Sequence, residues 1–124
     1  MSADEAITEE ATPLNAEQGG VAEAVAVPGL GNVVANRYTI GASTTNNRTY
    51  TLGGFNLTTD VPRVVLIQPR QIANQELNFS DQFAVQVITT ARNSIRCRVR
   101  RLDTNQGWGQ EMGLDLFIVE QQAL

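Results

Sequence analysis

The stretch Gln82-Phe83-Ala84-Val85-Gln86-Val87-Ile88-Thr89-Thr90-Ala91-Arg92-Asn93-Ser94-Ile95-Arg96-Cys97-Arg98-Val99-Arg100-Arg101 decides the fold. Phe83, Val85 and Val87 fall on every second position, and after a break at Thr90 to Asn93 the same spacing resumes with Ile95, Cys97 and Val99. Successive strand residues point to opposite faces, so each run presents one apolar face and the short break joins the two as an antiparallel pair.

The same reading extends outward in both directions. Val33 to Ile40, Arg48 to Leu52, Arg63 to Gln68 and Gly113 to Glu120 read as strands beside Gln82 to Thr89 and Ser94 to Arg101, separated by Asn, Gly, Asp and Ser clusters, with short pairing expected around Phe55 to Leu57. Near the C-terminus Leu114, Leu116 and Ile118 alternate, while Phe117 and Val119 make the opposite face apolar too. A strand apolar on both faces is covered on both, and the second cover is expected to be another subunit. The spacing predicts an all-β, antiparallel β-sandwich of about six strands over residues 32–124.

Residues 1–31 read differently. Asp4, Glu5, Glu9, Glu10, Glu17 and Glu23 occur with no basic residue before position 25, although the net charge of the 124-residue chain is only −4. Ser2-Ala-Asp-Glu5 has the spacing of a capping box, and Ala3 to Ala11 could form two helical turns, too short to persist unpacked in water. Gly19-Gly20 and Pro28-Gly29 favour extension and bending. The expectation is an extended acidic N-terminal arm whose apolar residues Val21, Val25, Val27 and Leu30 bury themselves on neighbouring subunits. The rest of the chain carries nine Arg against seven acids, so arm and domain attract weakly, within a molecule or between copies.

The chemistry-bearing residues point away from catalysis. The chain has no His, no Lys and one Cys, which removes most groups that act as acids, bases or nucleophiles at neutral pH. Asp60, Glu76, Asp81, Asp103, Glu111 and Asp115 are scattered, and no nucleophile elbow or phosphate-binding loop is present. Lone Cys97 rules out an intrachain disulfide and a thiolate metal site, and its place in an apolar alternation reads as core. The expectation is a protein that is not an enzyme and uses no cofactor or metal. Without a signal-peptide pattern or a bilayer-length apolar run, synthesis in a cytoplasm and no membrane partner are expected.

Two constellations are candidates for binding. Arg96, Arg98 and Arg100 share one side of a strand at intervals of roughly 6.5 to 7 Å. Such a row suits carboxylates, phosphates or polar sugars on a neighbouring strand, the acidic arm of another copy, or a ligand, and also suits a plainly solvated face. Nucleic acid is disfavoured by the net acidity and the lack of nearby Lys or stacking aromatics. The loop Asp103-Thr104-Asn105-Gln106-Gly107-Trp108-Gly109-Gln110 places a lone Trp among amides and hydroxyls. It could stack a sugar or anchor a partner, and it could equally fold back to plug the end of the sandwich.

From Phe55-Asn-Leu57, through Val61-Pro-Arg-Val-Val-Leu-Ile67, Phe83-Ala-Val-Gln-Val-Ile-Thr89 and Ile95-Arg-Cys-Arg-Val99, to Leu114-Asp-Leu-Phe-Ile-Val119, the chain resembles the H-type lectin domain. The resemblance implies a six-stranded sandwich that forms trimers and binds galactose-type sugars in shared grooves. The family's last strand usually holds a Trp; here Phe117 takes the comparable place and Trp108 precedes it. A small sandwich with an N-terminal arm and an amide-rich surface also resembles capsid decoration proteins and fibre modules of tailed phages. That second resemblance implies a structural protein of a virion, homo-oligomeric, in contact with a major capsid or other virion protein.

Overall fold

The computed structural model describes residues 11–14, 24–71 and 82–121. Among these residues eight strands are formed: β1 (Thr12–Leu14), β2 (Val25–Val27), β3 (Gly31–Ile40), β4 (Asn47–Gly53), β5 (Val64–Gln71), β6 (Phe83–Ala91), β7 (Ser94–Arg101) and β8 (Met112–Val119). They make two four-stranded sheets, in the orders β1-β4-β7-β6 (sheet 1) and β2-β3-β8-β5 (sheet 2). The fold is an all-β sandwich, as the alternation predicts. The count of six is corrected to eight, because β1 and β2 are three-residue edge strands within the first 31 residues. Runs that short carry no readable alternation, and a partner strand is what selects them.

β6 and β7 form the expected hairpin, turning at Arg92-Asn93, with Val85 opposite Val99 and Val87 opposite Cys97. A bulge at Ile88 adds one residue to β6, which returns Thr90 to the level of Ile95. All pairings are antiparallel except β1 with β4, which run parallel with Thr12 beside Tyr50 and Leu14 beside Leu52. The β2–β3 turn has Pro28 at its second position and Gly29, at φ +84°, at its third, closed by Leu30 N–H donating to Val27 O at 3.0 Å. Proline pre-sets the first corner and only glycine takes the positive φ cheaply at the second, which is why this dipeptide makes the turn. Phe55 and Leu57 form no strand, but both are buried in the loop between β4 and β5.

The core lies between the sheets. Val34, Tyr38 and Ile40 of β3 and Leu114, Leu116 and Ile118 of β8 face Tyr50 and Leu52 of β4 and Ile95, Cys97 and Val99 of β7. Every second residue of each strand enters this layer, so period-two alternation alone accounts for it. Tyr38 crosses the layer: its hydroxyl donates to Gly53 O of sheet 1 at 2.6 Å and accepts from Asn36 Nδ2 at 3.3 Å. Those bonds satisfy the polar atoms that burial would otherwise penalise.

One end of the sandwich is fastened by Glu120, only 2% exposed. Its Oε1 accepts from Asn32 Nδ2 at 2.7 Å, and its Oε2 accepts from the backbone N–H groups of Thr58 and, at 2.9 Å, Thr59. The Glu120 N–H donates to Asn32 O at 2.8 Å, and Gln121 N–H donates to Leu30 O at 2.9 Å. Desolvation pushes the carboxyl pKa up, but the hydrogen bonds from Thr58, Asn32 and Thr59 outweigh it and hold the pKa below its ordinary value of 4.5. A lowered folded pKa contributes stability that is present above the unfolded value and is lost as pH falls through the folded one. Glu120→Ala leaves three part-buried donors, from Asn32, Thr58 and Thr59, without their acceptor and is expected to cost about 2 kcal/mol in urea unfolding at neutral pH. Glu120→Gln should flatten the loss of stability below pH 4.5 relative to the parent chain; equal acid slopes would show that this carboxylate is not the titrating clasp.

Candidate functional site

The β7–β8 loop is built from Arg101 upward. Arg101 has the same strand parity as Val99 and Cys97, so it points inward while Arg96, Arg98 and Arg100 point out. Its Nε donates to Asp103 Oδ1 at 2.7 Å and its Nη1 to Gly107 O at 2.6 Å, with the guanidinium carbon 5.2 Å from the centre of the Phe83 ring. Asp103 also accepts from the backbone N–H of Asn105 at 2.8 Å and of Gln82 at 2.9 Å. The bond from Arg101, opposed by desolvation and helped by the two backbone donors, holds the Asp103 carboxyl at about 2. Asp103 is thus a structural acceptor with both oxygens engaged.

Trp108 closes this end. Its ring meets Phe83 edge-on at 5.7 Å, its indole N–H donates to Gly41 O at 2.9 Å, and its backbone exchanges two 2.8 Å hydrogen bonds with Ser43. This close approach to the Ser43 backbone requires a glycine beside Trp108. Gly107 has φ +62°, and a Cβ there would lie 2.3 Å from Ser43 O. Trp108 is 4% exposed, so the ring faces the core and not solvent. Asn105 is exposed at the loop tip and contributes its backbone N–H to Asp103.

The arginine row stands in the middle of sheet 1, on its outer face. β7 lies between β4 and β6, which places Arg96 beside Thr51 and Thr89, Arg98 beside Thr49 and Gln86, and Arg100 beside Asn47 and Ala84. Arg96 and Arg98 are half-buried and Arg100 is exposed. Thr49 is 1% exposed although it belongs to an outer face, and its hydroxyl has no hydrogen-bond partner. The row is therefore a cationic strip set among hydroxyls and amides, the surroundings that favour a carboxylate or phosphate over an apolar guest.

The outer face of sheet 2 is divided. In register across its strands run Val25, Val33, Val119 and Val64, then Ala35, Phe117 and Leu66, then Arg37, Asp115 and Gln68. The first two rows are apolar, with Leu66 59%, Val25 51% and Phe117 40% exposed. In the third, Asp115 lies 3.4 Å from Arg37 Nε and 3.0 Å from Arg70 Nε. Sequence reading recognised the double-faced character of β8 but not that Leu66 and Val25 would continue it. The signal for Leu66 was the unbroken run Val64-Val65-Leu66-Ile67, apolar at both parities. Of the other arm residues, Val27 is half-buried, Leu30 is 42% exposed in the β2–β3 turn, and Val21 lies outside the described residues.

Among the described residues no three carboxylate or thiol groups converge as metal ligands. Cys97 is buried in the core, where desolvation pushes its thiol up to about 12.

These features define a small two-sheet β-sandwich with a capped end, a cationic outer face and an apolar outer face. No protein-family model matches the chain, and comparisons with characterised proteins and with solved structures returned no match. The likeness to H-type lectins and to phage modules thus rests on strand pattern and architecture alone.

Trp108→Ala should destabilise the fold by about 3–5 kcal/mol, read as a lowered denaturant midpoint, because a large buried ring is lost. Cys97 should resist aromatic-disulfide titration in the native chain at mildly alkaline pH and react at once in guanidinium chloride. Rapid modification of the native protein would contradict its placement in the core.

Proposed function

We propose that this chain is a non-enzymatic structural component of a viral particle, of the decoration or cement type. It is made in the host cytoplasm, assembles as a homo-oligomer, and is held to a major capsid or other virion protein through its N-terminal residues. The observation that carries this reading is the apolar outer face of sheet 2, to which Val25 of the N-terminal region and Phe117 and Leu66 of the domain all contribute. A continuous apolar surface with an ionic rim of Arg37, Asp115 and Arg70 has the make-up of a protein–protein contact. Covering it gains roughly 25 cal/mol per Å², a modest term that multiplies over many copies. The buried position of Trp108 favours this reading over a sugar-binding one, in which that ring would have to be open.

Two measurements test it. The native protein, isolated from its source on a density gradient, should migrate with a large particle at fixed stoichiometry; recovery only as a free small oligomer would overturn the particle reading. In sedimentation analysis of the pure protein, the parent chain should exceed the 13.5 kDa of one copy. The double variant Leu66→Asp, Phe117→Asp should run as a monomer with an unchanged β circular-dichroism spectrum. Unaltered self-association in that variant would move the contact elsewhere on the molecule.

A further inference from the structure

We infer that the outer edge of β6 is a docking site for an extended segment of a partner protein, which adds to sheet 1 beside β6 and sets a carboxylate side chain within reach of Arg100. Among the described residues four strands end the two sheets, β1 and β6 in sheet 1 and β2 and β5 in sheet 2. β1 and β2 are three residues long, and β5 carries Pro69 and Arg70. Shortness, proline and charge are the ordinary devices that stop an edge from pairing further. β6 has none of them: Phe83–Ala91 runs nine residues without a charge or a proline. Its one guard, the bulge at Ile88, comes late and leaves Phe83 to Val87 regular.

Hydrogen-bond parity shows what this edge offers. Leu102 N–H donates to Gln82 O at 2.8 Å, so that pair bonds across the β6–β7 ladder, and alternation gives Ala84 with Arg100 and Gln86 with Arg98 the same role. The N–H and C=O groups of Phe83, Val85 and Val87 therefore point away from β7, to a side that no strand takes up among the described residues. Three such donor and acceptor sets, at intervals of about 7 Å, are a template for strand addition, in which main-chain bonds supply the affinity. The side chains of the same three residues face the core yet are only half-buried, whereas Ile95, Cys97 and Val99 on the neighbouring strand are fully covered. Inward apolar residues of an added strand complete that cover.

Arg100 selects the chemistry of the occupant. It is exposed on the outer face, opposite Ala84, whose methyl group leaves the way across β6 clear. An outward side chain on the added strand at this level lies two strand spacings from Arg100, about 9.6 Å between backbones. An arginine and a glutamate reaching toward each other close that gap, and a guanidinium fork prefers a carboxylate. β6 of a second copy brings no such group, since Gln82 to Ala91 carry no charge. The occupant is thus a different chain with an acidic residue among alternating apolar ones.

The test uses the full chain and, as probe, the synthetic peptide acetyl-Val-Thr-Val-Glu-Val-Thr-Val-amide, whose valines share one face. Backbone amide exchange is followed by nuclear magnetic resonance. With the peptide at about ten times its Kd, exchange at Phe83, Val85 and Val87 should slow about tenfold. The same peptide with Gln in place of Glu should bind the parent about threefold more weakly, and the two should bind the variant Arg100→Gln alike. No slowing at the three amides would overturn the inference, as would equal slowing by a peptide whose valine nitrogens are methylated and cannot donate. A preference for the Glu peptide that survives Arg100→Gln would overturn the assignment to Arg100. Protection of these amides in the free chain that falls away on dilution would also overturn it, by giving the edge to a second copy. None of these results depends on whether the protein belongs to a particle.

Discussion

A carboxylate withdrawn from water has to be compensated where it lies, and at Glu120 the compensation comes from two other parts of the chain. The amide of Asn32 and the backbone N–H groups of Thr58 and Thr59 all converge on it. This fixes the start of β3, the loop leading to β5 and the end of β8 in one mutual arrangement. The apolar rows on the outer face of sheet 2 follow from it, since Val33, Val119 and Val64 are paired immediately beside the clasp. Removing one partner of such a group is much worse than never having buried it, so the clasp sets the geometry more than the net stability.

The opposite end of the sandwich uses the reverse charge for the same purpose. Arg101, buried among Asp103, the Gly107 carbonyl and the Phe83 ring, draws the β7–β8 loop over the core and seats Trp108. Between the two ends the Tyr38 hydroxyl binds Gly53 across the layer. Polar anchors at both ends and one in the middle leave the broad outer faces free to differ. Sheet 1 carries the cationic row and sheet 2 the apolar rows, so the molecule has two unlike sides on one small core.

Much of this was legible in the sequence, where local period and turn chemistry decide the outcome. The β6–β7 hairpin, the span Ser94 to Arg101 and the inward residues of β8 follow from alternation alone. The three-residue strands β1 and β2 were not legible as strands, because their pairing is chosen by distant partners, although Pro28-Gly29 signalled the turn that brings β2 back onto β3. Arg101 reads at first as one more cation beside Arg96, Arg98 and Arg100, yet its odd place in the alternation marks it as inward. The sequence around Trp108 left a binding plate and a plug equally open, and it is Gly107, which lets the backbone approach Ser43, together with the buried ring that makes it the plug. Cross-strand register decided the Arg37, Asp115 and Arg70 cluster, and no linear spacing encodes that.

β8 is the last of these strands in the chain and an inner strand of its sheet, hydrogen-bonded to β3 on one side and β5 on the other. During synthesis, then, β3 and β5 leave the ribosome with the strip between them empty, and sheet 2 cannot close until β8 has emerged. The β6–β7 hairpin, whose contacts are local, is complete well before that moment, while the long-range pairings wait. Closure of sheet 2 is thereby deferred until β8 has been made, and the interval exposes the unpaired edges of β3 and β5, the segments where a chaperone has most to protect.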